Sequence, residues 1–290
     1  MELRTLRVFV EVVRQGGFTE ASRIVGATQS TVSKAVKQLE DELGLQLLDR
    51  VGHRSSLTSA GEIVFRRAQR LLAERDDLVT ELDELRGLKR GVLRLGLPPI
   101  GSDVLFAPVF AAFRARYPGV EIRLVEHGSK RLEEVLRAGE VDLAGVLLPI
   151  PDDFAWQRMR HEPIVALMPG EHPMAGRRAL SMAELAEEPF VLFEAGFALN
   201  PIIQDVCARA GFVPRVAARS SQIGFIVELV AAGLGIAFLP RMIAELRAHG
   251  SLRVVPVTDA GMDWQMALAW RRGGYLPQAA RAWLELARAV

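Results

Sequence analysis

The sequence predicts an α plus α/β protein: an N-terminal winged helix-turn-helix, a long linker helix, and two α/β lobes. Three observations lead there. Between Phe18 and Gly61, two short apolar-striped segments flank a Gly-Ala-Thr turn and precede a small basic hairpin. Residues 64–85 carry apolar side chains at alternating steps of four and three. From Val92 onward, apolar runs of strand length alternate with helical segments.

An opening apolar stripe is formed by Leu3, Leu6, Phe9, Val10 and Val13. Thr19 is an N-cap candidate for a helix to about Val25, with Ala21, Ile24 and Val25 turned inward. Gly26 breaks it, since glycine takes the left-handed conformation that ends helices. Thr28 caps a second helix from Gln29 to about Leu43, and Gly44 ends it. There Val32, Val36, Leu39 and Leu43 make one apolar stripe, while Gln29, Ser30, Ser33, Lys34 and Lys37 occupy the opposite face. Lys34 and Lys37 lie in the first half, and Glu40, Asp41 and Glu42 in the last turn. The helix dipole favours the reverse order. Setting the N-terminal half against phosphates and base edges, with the acidic end held away, accounts for it.

The pattern Phe18–Thr19, Ala21–Ser22, Thr28–Gln29, Val32–Ser33, Leu39–Glu40, Leu43–Gly44, Leu47–Leu48, Arg50, Arg54 and Leu57–Thr58–Ser59–Ala60–Gly61 resembles the DNA-binding domain of LysR-type transcriptional regulators. Leu48, where that family more often has Phe, and Thr28, where Ser is commoner, keep the chemistry. The DNA-contacting set is then Thr28, Gln29, Ser30, Thr31, Ser33, Lys34 and Lys37 on the second helix. Arg50, His53 and Arg54 join it from a wing in which Gly52 to Ser56 connect two short strands.

Composition adds restraint. The 290 residues are half hydrophobic and carry a net charge of only +1. Residues 1–72 hold 11 Lys and Arg against 8 Asp and Glu, a surplus of three positive charges. So weak a patch implies salt-sensitive binding by two or more copies together. Cys207, the single cysteine, excludes an internal disulfide and suits a reducing cytosol. Glu2, Arg4 and Arg7 interrupt the opening stripe, so no signal peptide is read there. The uncharged stretch Leu229–Pro240 is too short to span a bilayer, and a cytoplasmic location is expected.

Ser59 and Glu62 have capping-box spacing at the start of the long helix. Val64, Ala68, Leu71, Arg75, Leu78, Leu82 and Leu85 form its seam, which calls for a second chain. The expected divisions are residues 1–58 for the winged helix-turn-helix, 59–87 for the linker helix, 88–91 for a hinge and 92–290 for the remainder. Strands are expected at 92–98, 120–126, 141–148, about 157–168, 190–194, 216–220, 235–240, 252–257 and 264–270, mostly in parallel sheets. Helices fall between them at 106–118, 129–138, 200–210, 222–232 and 241–248, with a last one at 277–289.

The resemblance implies a two-lobed effector domain like a periplasmic solute-binding protein. Lobe I would take about 92–162 and 262–290, and lobe II about 163–261. Three helix starts are candidate anion sites between the lobes: Ile100–Gly101–Ser102, Gly128–Ser129 and Asn200–Pro201. In the family, hydroxyl residues matching Ser102 and Ser129 line the effector cleft. Ser221 and Gln222 are further candidates, and Phe197 and Ile100 supply apolar walls. Lys130, Arg131 and Arg219 are the nearest cations in sequence, so a small carboxylate held chiefly by neutral donors is expected. No cofactor or metal is expected beyond that organic-acid effector.

Motifs for catalysis are missing. His53, His127, His161, His172 and His249 are scattered without metal-ligand spacing, and neither a G-x-S-x-G elbow nor a phosphate loop occurs. Gly233-Leu234-Gly235 opens a strand and not a helix. The expected partners are double-stranded promoter DNA, the effector, and further copies in a homodimer that assembles to a tetramer. RNA polymerase is a further partner, and no membrane is. The rival reading is a cytoplasmic solute-binding module without a transcriptional role.

Overall fold

The computed structural model describes residues 1–51, 54–85 and 91–288. The expected hinge at 88–91 lies outside them except for Gly91. The chain divides into two compact units, one formed by the helix-turn-helix, wing and long helix, the other by everything that follows.

In the first unit, α1 (Leu3–Arg14) packs against α2 (Phe18–Val25) and α3 (Gln29–Leu43). Phe9, Val12, Ala21, Val32, Val36, Leu39 and Leu47 are buried together in its core. Gly26 and Gly44 end α2 and α3 at φ 66° and 67°, where a side chain is disfavoured. The wing is the antiparallel pair β1 (Leu48–Val51) and β2 (Arg54–Leu57). The Glu40 carboxylate accepts from the backbone N–H groups of Leu47 (2.8 Å) and Leu48 (3.2 Å), fastening the end of α3 to the wing.

Several local expectations change. Gly17, not Thr19, precedes α2, and Ile24 is exposed, because the short helix buries only its Ala21–Ser22 side. Leu43 is also exposed at the frayed end of the α3 stripe. β2 begins at Arg54, so Arg54, Ser55 and Ser56 belong to a strand and not to the tip.

The long helix α4 runs Ser59–Leu85. Its cap is Thr58 in place of Ser59. The Thr58 hydroxyl accepts from Gly61 N–H (2.9 Å) while donating to the Gln46 carbonyl (2.7 Å), so one side chain caps the helix and anchors the preceding loop. Val64, Ala68 and Leu72 pack on the helix-turn-helix core, whereas Leu71, Leu78, Val79 and Leu82 stand exposed.

The second unit is built on a seven-stranded mixed sheet. Its strands are β3 (Gly91–Leu97), β4 (Val120–Glu126), β5 (Leu143–Leu147), β6 (Phe154–Pro169), β9 (Ala237–Pro240), β10 (Leu252–Pro256) and β11 (Asp263–Arg271). Their order is β10-β6-β11-β5-β3-β4, with β9 also on β6. β3 pairs parallel with β4 and β5, while β11, β9 and β10 all run antiparallel to their neighbours. The expectation of mostly parallel sheets therefore fails along β6 and β11. A separate parallel pair joins β7 (Pro189–Phe193) to β8 (Arg215–Ser220).

Two lobes share β6. Up to Pro163 it pairs with β11, and from Ile164 it pairs with β9 and β10. Lobe I carries α5 (Ser102–Leu105), α6 (Ala107–Arg116), α7 (Ser129–Arg137) and α11 (Gln278–Ala287). Trp283 of α11 sits edge-on to Phe110 of α6, with ring centroids 4.8 Å apart. Lobe II carries α8 (Leu199–Arg209), α9 (Ile223–Ala231) and α10 (Arg241–Arg247). Each parallel strand delivers its C-terminal end to a helix start, the arrangement that leaves a crevice for small molecules.

Candidate nucleic-acid interface and effector cleft

The outward face of α3 is built by its cap. Thr28 has extended backbone angles, and its hydroxyl accepts from Thr31 N–H at 3.2 Å. The same oxygen lies 3.0 Å from the Ser30 hydroxyl and 2.8 Å from that of Thr31, so three hydroxyls cluster at the helix start. Gln29, Ser30, Thr31, Lys34 and Lys37 are exposed, and Ser33 is half-buried between them. Among the described residues, Lys34 and Lys37 have no ion-pair partner. The acids at the other end are engaged: Glu40 holds the wing, and Gln38 donates to Glu42 at 3.3 Å. The charge order along α3 thus has a structural cause at its acidic end and none at its basic end. Arg50 lies in β1 and Arg54 opens β2, while His53 falls outside the described residues.

The eight effector candidates separate into three groups. Ile100, Ser129 and Phe197 line a tight cleft between the lobes, with Pro98, Pro99 and Gly128. Its open volume is about 10 Å³, room for about one water. Gly101 adjoins it at φ 83°, and a Cβ there would lie 2.9 Å from the Trp264 ring. At Gly128 a Cβ would stand 2.7 Å from the Gly196 carbonyl oxygen, so the lobes meet backbone to backbone. Ser102, Ser221 and Gln222 instead line a separate, open cavity of about 490 Å³ beside β4 and α9. The Ser102 hydroxyl is turned back onto the Pro98 carbonyl.

Asn200 forms the third group. It is buried, and its amide donates to the carbonyls of Phe193 (2.9 Å) and Glu194 (2.8 Å), closing the end of β7 onto α8. Its Oδ1 is buried without a hydrogen-bond partner. The cations nearest in sequence stay away from the tight cleft: Arg131 pairs with Glu134 at 3.0 Å, and Arg219 donates to the Phe193 carbonyl at 3.0 Å. The sequence reading missed Leu147, Trp264 and Met266, which complete the cleft wall. Met266 and Leu147 are cross-strand partners in β11 and β5, a pairing no local pattern announces. Among the described residues no group of His, Cys, Asp or Glu is placed to hold a metal ion, and no helix is long and apolar enough to cross a membrane.

Family comparison agrees with both units. The family model for the bacterial regulatory helix-turn-helix protein, lysR family, matches residues 3–62, and that for the LysR substrate binding domain matches residues 86–290. The chain belongs to the LysR family of transcriptional regulators. This LysR-type regulator is 37% identical over 286 residues to the HTH-type transcriptional regulator YwbI of Bacillus subtilis, covering 98% of this chain and 95% of that one. It is 34% identical over 280 residues to the HTH-type transcriptional regulator BudR of Raoultella terrigena, covering 94% and 95%. Among solved structures, a full-length OxyR variant from Pseudomonas aeruginosa matches at a TM-score of 0.72 and 25% identity, covering 99% of this chain and 95% of that one. HinK, a LysR family regulator from the same organism, matches at 0.61 and 27%, covering 99% and 98%.

Proposed function

We propose that this DNA-binding transcriptional regulator acts in the cytoplasm as a homodimer joined along α4 and paired into a tetramer. Two helix-turn-helix pairs then contact two sites in promoter DNA and bend the segment between them, within reach of RNA polymerase. A small carboxylate entering the tight cleft shifts the closure of the lobes and so changes the spacing of those pairs. The ligand can do this only through unequal affinity for the two arrangements.

The observation that carries the DNA reading is the outward face of α3. Its basic half holds two lysines without internal partners beside three hydroxyls, while its acids are occupied elsewhere. Lys34 and Lys37 supply phosphate contacts, and Gln29, Ser30 and Ser33 reach base edges. Thr28 and Thr31 order the helix start, and Arg50, His53 and Arg54 reach flanking phosphates from the wing. The exposed leucines of α4 support the dimer.

A gel-shift series with the chain's own upstream DNA tests this reading. A sequence-preferring complex that weakens in Ser33→Ala and Lys37→Ala, at unchanged thermal stability, is expected. No preference for that DNA over random DNA at micromolar protein would defeat it.

A further inference from the structure

We infer that the effector carries one carboxylate on an apolar body, and that dicarboxylates, phosphorylated sugars and neutral alcohols are rejected. This rests on the reading that the tight cleft is the effector site, and it narrows the ligand from its lining.

The cleft offers a single place for an anion. α7 begins at its edge, and the first-turn N–H groups of a nine-residue helix carry a partial positive charge. Ser129, the first residue of that helix, is more than nine-tenths buried and lines the cleft. Among the described residues its hydroxyl has no hydrogen-bond partner. A buried hydroxyl is ordinarily satisfied, and one left open beside a helix start suits an oxygen acceptor supplied by a ligand.

Everything else on the wall argues against a second anionic group. No Lys, Arg or His lines the cleft. The rest of the wall is proline, aliphatic, aromatic and thioether surface, with Phe197 held by stacking on Phe193 at 5.2 Å between ring centroids. Behind the wall, both amide hydrogens of Asn200 are spent on backbone carbonyls, and what remains is the unpaired acceptor Oδ1. An acceptor repels a second carboxylate. A charge buried in such surroundings without partners is strongly disfavoured. The body of the ligand must therefore be apolar, packed between Trp264, Met266 and Phe197. With only about 10 Å³ open, its entry parts the lobes where Gly128 meets Gly196.

Calorimetric titration of the full-length chain with two matched sets tests the inference. The sets are benzoate, phthalate and benzyl alcohol, and butyrate, succinate and 1-butanol. In at least one set the monocarboxylate should bind ~10-fold or more tightly than its two analogues. Ser129→Ala should weaken it by a similar factor, and Ser129→Thr should restore much of the loss. A dicarboxylate or alcohol that binds as well as the monocarboxylate overturns the inference, as does the absence of binding by all six at about 10 mM. The cleft reading is judged separately with Ala198→Phe, which fills the wall. If a reporter driven by the chain's own promoter loses its response in that variant, the cleft stands whatever the six probes do. If the monocarboxylate binds Ala198→Phe and Ser129→Ala undiminished, the cleft placement itself is wrong.

Discussion

Gly61 shows how much one hydrogen atom in place of a side chain can decide. It lies in the third position of α4, and a Cβ there would sit 2.0 Å from the Leu47 carbonyl oxygen. That carbonyl also accepts from Thr58 N–H, so it cannot swing aside without cost. Gly61→Ala should destabilise the first unit by about 3 kcal/mol, the upper range for overpacking, seen as a lower urea midpoint. Cys207 is a second residue with a clear expectation. Burial pushes its thiol up to about 11, so at neutral pH it stays protonated and the native protein should resist alkylation until it unfolds. The unfolded thiol releases its proton first, near pH 8.5. Stability from this group is therefore full below about pH 8.5 and falls as pH rises towards 11. Denaturant melts between pH 8 and 10.5 with Cys207→Ala as the reference measure that slope. At this scale the sequence was readable where the signal is local. Thr28, Gly26 and Gly44 announce their turns because cap and left-handed residue act within a few positions. Ile24 and Ser59 misled because a short helix can turn a leucine-like side chain outward, and because two neighbouring hydroxyls compete for one cap.

α4 shows where an element's pattern exceeds what its own unit can satisfy. Its first turns bury Val64, Ala68 and Leu72 against the helix-turn-helix, as an ordinary amphipathic helix does. Farther along, Leu71 at 45%, Leu78 at 56% and Leu82 at 47% exposure continue the heptad spacing into solvent. Apolar side chains repeated along one line have a use when a second helix covers them. Leu78→Asp should shift the chain towards monomer in sedimentation velocity and weaken DNA binding by ~10-fold or more, while circular dichroism stays helical. The β elements were legible in existence but not in direction. Runs of buried apolar residues look alike in parallel and antiparallel strands, so β9, β10 and β11 were expected to follow the wrong sense. The cleft was half legible for a related reason. Ser129 and Ile100 sit at strand-to-helix turns that composition marks, whereas Trp264 and Met266 arrive from a distant strand through its register with β5 and β6.

For the whole molecule, the weak charge of the N-terminal segment sets the character of DNA binding. With a surplus of only three positive charges in residues 1–72, affinity must come from several copies engaged together. Binding isotherms against salt should give a steep log–log slope for the intact assembly. Lys37→Ala should reduce that slope by about 1 for each copy bound to the site. A slope unchanged by the substitution would remove Lys37 from the phosphate contacts. No single element of the sequence shows this, because the net charge of the full chain is nearly neutral.

The strand β6, sixteen residues long and common to both lobes, has a mechanical consequence. At about 3.3 Å per residue it is a continuous rod of roughly 50 Å, hydrogen-bonded on one partner and then on others without a break in its backbone. Its register with β11 slips between Met266 and Ala267, leaving one extra residue, Met159, directly behind the cleft-lining Met266. Such a bulge concentrates twist. Relative movement of the lobes must then be torsion of a stiff ribbon about that point, with an elastic restoring force, and not the free swing of a loop. A ligand wedged beside Met266 winds or unwinds the ribbon by a set angle, so its response is graded by ligand shape and springs back when the ligand leaves.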